Sequence, residues 1–213
     1  MLPGNLGGWI KLMIHLVLGG ARSGKSRFAE NWVAQMTASI PQACPPVYIA
    51  TATIGNDDEM ANRIARHQGD RRTSALAWIT LETPLALAEC LTRIDKANQV
   101  ILVDCLTLYL TNHLLRASLN TTAETLRRMS ATNLASHDWQ TEKNHLLAVL
   151  PTLKSHVVLV SNEVGSGIVP MGELSREFVD QAGWLNQAIA ALADEVSLVV
   201  AGLPLMLKTA INS

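Results

Sequence analysis

The feature that most constrains the fold is a glycine-rich segment near the N-terminus, Gly19-Gly20-Ala21-Arg22-Ser23-Gly24-Lys25-Ser26. It matches the phosphate-binding loop pattern G-x-x-x-x-G-K-[ST]. An apolar run at residues 14–18 precedes it, and a helix-like segment from Lys25 to about Ala38 follows it. This order of strand, loop and helix is the context that the motif requires. The alternative is a glycine-rich turn that matches by chance, but both flanking segments argue against it.

Each part of this loop has a physical purpose in binding phosphate. Glycines let the backbone turn tightly, so that successive N–H groups point at one phosphate. The N-terminus of the following helix adds the positive end of its dipole. Lys25 is expected to reach the β- and γ-phosphates, and the Ser26 hydroxyl is expected to bind Mg²⁺. The loop therefore predicts a nucleoside triphosphate as ligand but does not indicate its reaction.

Short apolar runs alternate with segments of helical period along the rest of the chain. This alternation predicts parallel βαβ units, and the continuous apolar runs are typical of strands buried on both faces. We therefore predict an α/β fold with a mostly parallel sheet flanked by helices. The predicted strands are Ile14–Leu18, Val47–Ala52, Trp78–Leu81, Val100–Asp104, Val157–Ser161 and Val196–Ala201.

Length and composition limit the other function classes. The 213 residues suit one domain, which we assign to residues 13–213, with residues 1–12 as a poorly structured extension and Met13 as an alternative start. The net charge of −1 gives no indication of a nucleic-acid or membrane surface. No uncharged apolar run approaches the ~18 residues of a membrane span. Three cysteines without a C-x-x-C pair favour a reducing cytoplasm over a disulfide framework.

Ligands of parallel sheets bind at the carboxyl ends of the strands, so residues at these ends are the candidates for a nucleotide site. Asp104 follows four apolar residues, as in strands whose aspartate holds Mg²⁺, although many buried strands end in Asp. The segment Ala52-Thr53-Ile54 either lines a nucleotide pocket or is an ordinary loop. Glu82 either contacts a ribose or base or is only a polar strand end.

His67 lies at the end of a predicted helix that begins near Asp57. Met60, Ile64 and His67 are spaced to lie on one apolar stripe of that helix. Geometry alone favours a partly buried core histidine. The alternative is an imidazole that acts as nucleophile or base in the nucleotide cleft.

Three further features concern the later strands and helices. Thr83 and Pro84 are predicted to begin the helix after the third strand, as N-cap and first helical residue. Asn112 lies in an apolar helix, either as a substrate contact or as a satisfied polar core group. Asn162–Pro170 follows a buried strand and is predicted to be an active-site loop.

Together these motifs resemble the bifunctional adenosylcobinamide kinase / adenosylcobinamide-phosphate guanylyltransferase family. The resemblance covers nearly all of residues 13–208. The segments that carry it are the loop at 19–26, Tyr-Ile-Ala-Thr at 48–51, Asp-Asp-Glu-Met with Arg-Ile-Ala-Arg-His at 57–67, Asp-Cys-Leu-Thr at 104–107, Asn-Glu-Val-Gly-Ser-Gly-Ile-Val-Pro at 162–170 and Gly-x-x-Asn-Gln at 183–187.

The resemblance implies a RecA-like P-loop fold, a homotrimer and two reactions. ATP or GTP phosphorylates adenosylcobinamide, and GTP then donates GMP to adenosylcobinamide phosphate, which gives adenosylcobinamide-GDP and pyrophosphate. Mg²⁺ accompanies the nucleotides, and no tightly bound cofactor is implied. Neither nucleic acid nor a membrane is an implied partner.

The resemblance also assigns site residues. It implies that His67 carries GMP covalently, and here Arg66 precedes it where some relatives have a second histidine. Arg71-Arg72 stands where the family has Arg-Pro, and the insertion at 73–77 differs. The implied GTP contacts are the loop at 19–26 and Ala52, Thr53, Ile54, Gln68, Gly69, Asp70, Glu82 and Asp104.

Two other hypotheses remain open on the residues alone. A simpler small-molecule kinase would share the phosphate loop and Asp104 but would form no covalent nucleotide adduct. A RecA-like ATPase or nucleotide-gated binding module would hydrolyse nucleotide without modifying a corrinoid, and the absence of a basic patch disfavours a nucleic-acid partner.

Overall fold

The computed structural model describes residues 12–52, 76–120, 139–167 and 170–209. Its seven strands form one sheet in the order β3-β2-β4-β5-β1-β6-β7. They are β1 (Ile14–Gly19), β2 (Val47–Ala50), β3 (Ile79–Glu82), β4 (Val100–Asp104), β5 (His156–Asn162), β6 (Glu195–Val200) and β7 (Leu203–Lys208). The predicted extension, residues 1–12, lies outside the described residues apart from Leu12.

The strand directions confirm the predicted fold class. Strands β1 to β6 pair in parallel, and β7 alone runs antiparallel, against β6. All six predicted strands exist, with bounds that differ by at most two residues. Strand β7 is absent from the strands that the sequence predicts. The hairpin turn before it consists of Ala201 (φ 52°) and Gly202 (φ 80°), and an alanine at positive φ lacks the Asn-Gly or Asp-Gly signal of such turns.

Five helices cover the two faces of the sheet in the described part of the chain. Helix α1 packs on one face, where Ala29 and Val33 meet Val158 and Val160 of β5. The other face, which includes Val157 and Leu159 of the same strand, packs against the remaining four helices. The helices are α1 (Lys25–Ser39), α2 (Leu87–Ile94), α3 (Leu106–Asn120), α4 (Trp139–Val149) and α5 (Glu173–Leu192), and a 3₁₀ turn at Leu150–Thr152 follows α4.

The predicted helix start at Thr83 and Pro84 is wrong, because α2 begins at Leu87. The residues between β3 and α2 form a turn whose carbonyl groups bond to α3. The Pro84 carbonyl accepts a hydrogen bond from Asn112 Nδ2, and the Leu85 carbonyl lies 3.0 Å from His113 Nε2. Because α3 binds these two carbonyl groups, residues 84 and 85 stay in a turn and do not join α2. No local pattern in the sequence predicts this contact.

None of the helices in the described ranges combines the length and the apolar character that crossing a membrane requires.

Candidate functional site

The predicted phosphate loop joins β1 to α1 at the carboxyl edge of the sheet. The loop turns through left-handed backbone at Arg22 (φ 56°) and Gly24 (φ 95°), and α1 begins at Lys25. The Lys25 side chain is only 3% exposed, and its ammonium group donates a hydrogen bond to the Gly20 carbonyl at 3.0 Å. The Lys25 side chain therefore lies along the loop at which it is expected to bind phosphate.

The loop packs closely against the turn between β6 and β7. A Cβ atom on Gly19 would lie 2.5 Å from Ser23 Oγ and 2.7 Å from the Val199 carbonyl oxygen. A Cβ atom on Gly24 would lie 3.1 Å from the Gly202 Cα. The Gly202 N–H also donates to the Ser23 carbonyl at 2.7 Å. The turn before β7 thus supports the phosphate loop, a contact that no motif in the sequence predicts.

Asp104 ends β4, two strand positions from β1 in the sheet order. Tyr48 donates a hydrogen bond from its hydroxyl to Asp104 Oδ2 at 3.1 Å, which orients the carboxylate. Ser26 lies half-buried in the first turn of α1. A hydroxyl and a carboxylate are the hard oxygen donors that Mg²⁺ prefers, so these two predicted ligands suit that ion. No group of three or more His, Cys, Asp or Glu residues that could hold a metal occurs within the described ranges.

Cys105 follows Asp104 directly and is buried. Burial raises the pKa of its thiol, and the negative charge of Asp104 raises it further. A hydrogen bond with Thr107 and the positive charge of Lys25 act in the opposite direction but do not outweigh burial. The thiol therefore stays protonated at neutral pH and is a poor nucleophile.

Strand β5 lies between β1 and β4 and brings the predicted loop at 162–170 to the phosphate-loop edge. Asn162 is paired with Gly19 in the sheet register, and the Glu163 N–H donates to the Gly19 carbonyl at 3.1 Å. Asn162 Nδ2 donates to Thr107 Oγ1 at 3.1 Å. The beginning of this loop is therefore adjacent to the phosphate loop, while residues 168–169 lie outside the described residues.

The remaining predicted contacts are distributed unevenly. Glu82 ends β3 at the edge of the sheet and is exposed. Four strand spacings, about 19 Å, separate β3 from β1. A nucleotide whose phosphates bind the loop must therefore lie along the carboxyl edge to reach Glu82. Ala52 follows β2 at that edge. The predicted site residues that lie outside the described ranges are Thr53, Ile54, His67, Gln68, Gly69 and Asp70.

A network of polar contacts connects the ends of β2 and β4 and includes Asn112, whose role the sequence left open. The Thr51 hydroxyl donates to the Cys105 carbonyl at 2.7 Å and accepts from the Cys105 N–H at 2.9 Å. Asn112 Nδ2 donates to the Thr51 carbonyl at 2.7 Å. Asn112 is therefore a satisfied polar group between helix and sheet. An asparagine within an apolar helix was the signal available in the sequence, but its partners Thr51 and Pro84 are more than 20 residues away along the chain.

Comparison with known proteins gives a consistent result. A family model described as cobinamide kinase / cobinamide phosphate guanyltransferase matches residues 15–207. The chain is 46% identical over 196 residues to a bifunctional adenosylcobalamin biosynthesis protein CobP of Pseudomonas aeruginosa, covering 92% of this chain and 98% of that protein. It is 39% and 41% identical over 196 residues to proteins named bifunctional adenosylcobalamin biosynthesis protein CobU from Escherichia coli and Salmonella typhimurium, covering 92% of this chain and 100% of each relative.

Proposed function

The chain belongs to the cobinamide kinase / cobinamide phosphate guanyltransferase family, and we propose that it carries out both reactions on adenosylcobinamide in cobalamin biosynthesis. The kinase reaction makes adenosylcobinamide phosphate, and the guanylyl transfer makes adenosylcobinamide-GDP and pyrophosphate. The observation that carries this proposal is the placement of the phosphate loop, Asp104 and the start of the 162–170 loop at one edge of the sheet, within a chain that matches the family along residues 15–207.

In the kinase reaction, the residues of the loop hold the triphosphate of ATP or GTP. The substrate hydroxyl attacks the γ-phosphorus and releases its proton to solvent. The bond between the γ-phosphorus and the oxygen that bridges it to the β-phosphorus breaks, and ADP or GDP leaves. Lys25 offsets the negative charge that develops on the phosphate oxygens. Mg²⁺ held by Ser26 and Asp104 would supply further charge neutralisation.

In the guanylyl transfer, the proposed nucleophile is the neutral imidazole of His67. One ring nitrogen attacks the α-phosphorus of GTP, and pyrophosphate leaves. An oxygen of adenosylcobinamide phosphate then attacks the same phosphorus, and the nitrogen–phosphorus bond breaks. The covalent intermediate divides one transfer into two steps, each with a good leaving group. Lys25 serves both reactions, first for the transferring phosphoryl group and then for departing pyrophosphate.

A labelling experiment tests the proposal. The protein is incubated with Mg²⁺ and GTP labelled at the α-phosphate, denatured, and examined for a protein-bound label that acid removes and base does not. We expect the adduct in the natural protein and its complete loss in His67→Ala. His145→Ala is the matched control, because His145 is exposed on α4 and should label normally.

The other outcomes distinguish the remaining hypotheses. Transfer of a γ-label to adenosylcobinamide without any protein adduct would support a simple kinase. Nucleotide hydrolysis that a polymer stimulates, without a modified corrinoid, would support a RecA-like ATPase. Equal labelling of His67→Ala and the natural protein would exclude His67 as the nucleophile.

We further propose that the protein acts as a homotrimer in the cytoplasm. An exposed apolar edge strand supports self-association. On β7, Leu203 is 73% exposed and Leu205 is 59% exposed. Exposed apolar edge strands of stable proteins are usually covered by another chain or protected by charges, and no charged residue occurs between Val196 and Leu207.

A further inference from the structure

The Asn112 carboxamide connects two loops at the carboxyl edge of the sheet. Its Nδ2 group donates to the Thr51 carbonyl at 2.7 Å and to the Pro84 carbonyl at 3.1 Å. The first carbonyl belongs to the segment that leaves β2, and the second belongs to the segment that leaves β3. A carboxamide nitrogen has two hydrogens, so one side chain on α3 holds both loops at a set separation.

The two loops are themselves attached to the neighbouring strand ends. The Thr51 N–H donates to the Asp104 carbonyl at 3.2 Å, and the Thr83 N–H donates to the Ala50 carbonyl at 2.8 Å. Thr51 is fully buried, so its carbonyl has no ready replacement donor from solvent. Asn112 therefore belongs to a network that sets the relative positions of the ends of β2, β3 and β4.

These loops carry Ala52 and Glu82, two of the proposed contacts to GTP. Ala52 directly follows Thr51, and Glu82 lies two residues before Pro84. Both are remote in the strand order from the loop that holds the phosphates, because β4 and β5 lie between β2 and β1. The proposed contacts that Asn112 holds in place are thus those expected to meet the nucleoside, whereas the phosphate loop is expected to hold the triphosphate.

We propose that Asn112 is a positioning residue for the guanine nucleoside of GTP. It touches no reacting atom and acts by fixing the separation of the segments that present Ala52 and Glu82. This inference rests on the proposed function, because it takes GTP to be the substrate of this edge. It assigns to Asn112 an effect on nucleoside affinity that is separate from triphosphate affinity.

The test compares two probes on the same variants. Isothermal titration measures the Kd of GTP and of inorganic tripolyphosphate, each with Mg²⁺, for the natural protein, Asn112→Ala and Asn112→Gln. Thr111→Ala is the matched control, since the Thr111 hydroxyl bonds only within α3, to the Thr107 carbonyl, among the hydrogen bonds described for its side chain. Thermal unfolding of each variant is measured in parallel.

We expect Asn112→Ala to raise the Kd of GTP about tenfold or more while the Kd of tripolyphosphate changes by less than about twofold. Asn112→Gln, which keeps the donors on a longer side chain, should recover part of the GTP affinity. Thr111→Ala should bind both probes normally. In steady-state guanylyl transfer, the KM for GTP should rise in Asn112→Ala with a smaller change in kcat.

Other results would overturn the inference. A variant that loses affinity for GTP and tripolyphosphate equally has a general structural defect, and one that binds GTP normally shows that Asn112 has no positioning role. These outcomes differ from failure of the proposed function, in which the natural protein itself neither binds GTP nor modifies adenosylcobinamide.

Discussion

Gly19 and Gly20 are neighbours in the same motif but meet different physical constraints. A side chain on Gly19 would collide with the Val199 carbonyl of β6, a backbone atom that cannot move without displacing the strand. A Cβ atom on Gly20 would have no heavy atom of the described residues within 4 Å. Packing therefore requires the first glycine, whereas packing among the described residues leaves room for a side chain at the second.

We predict that Gly19→Ala lowers the free energy of unfolding by about 1–3 kcal/mol, the usual cost of inserting a methyl group into a packed site. Gly20→Ala should change stability by less than about 0.5 kcal/mol, as for an unconstrained surface position. Urea unfolding of both variants measures the difference. Equal stability of the two would show that β1 and β6 can separate enough to admit the methyl group.

Beyond single positions, β1 is attached to its neighbours by a buried polar contact. His15 on β1 is fully buried, and its Nε2 lies 2.8 Å from Ser197 Oγ on β6. Its ring also packs edge-on against Phe28 and Trp32 of α1. Glu195 lies 3.6 Å from the other ring nitrogen, but burial dominates and lowers the pKa of His15 to about 4.

This lowered pKa predicts a loss of stability in weak acid. The unfolded chain binds a proton at His15 below about pH 6.5, whereas the folded protein does so only below about pH 4. Stability is therefore lost as pH falls between these values, by at most about 3 kcal/mol. His15→Gln should unfold with a weaker pH dependence from pH 6.5 to 4, measured by urea titration at several pH values.

His145, which is exposed on α4, provides the control for the His15 substitution. His145→Gln should keep the pH dependence of the natural protein. Burial also lowers the pKa of His156 on β5, so some acid sensitivity should remain in His15→Gln. An unchanged pH dependence in His15→Gln would show that His15 does not control acid stability.

At the scale of the whole molecule, we propose that assembly depends on the sheet edge that β7 forms. Leu205→Glu would place a charge in the apolar strand that we propose to meet a second copy. We predict a homotrimer for the natural protein and a smaller species for Leu205→Glu, measured by light scattering after gel filtration. Ile79→Glu is the control, because Ile79 is 44% exposed on β3 at the opposite edge of the sheet. A trimer that persists in Leu205→Glu would contradict an interface at β7.

The candidate site was predictable wherever it depends on residues close in sequence. The phosphate loop, its strand and its helix occupy residues 14–39, and all three lie where the sequence predicted them. Asp104 was predictable because the apolar run before it ends at that residue. The roles proposed for all of the site residues remain predictions. For His67 and Gln68 to Asp70 the positions are predictions too, since those residues are outside the described part of the chain.

The sequence by itself determined the alternation of strands and helices, the phosphate loop and the family, because periodicity and motifs are properties of neighbouring residues. Only the tertiary structure decided that α2 begins at Leu87 and that β7 forms one edge of the sheet. It also decided that Gly19 must lack a side chain and that Asn112 joins two loops. Each of these depends on a contact with a distant segment, such as the 61 positions between Thr51 and Asn112. Packing and hydrogen bonding between such segments outweigh local preference. A local pattern could at most mark Asn112 as a polar residue in an apolar helix, and it could not identify the partners.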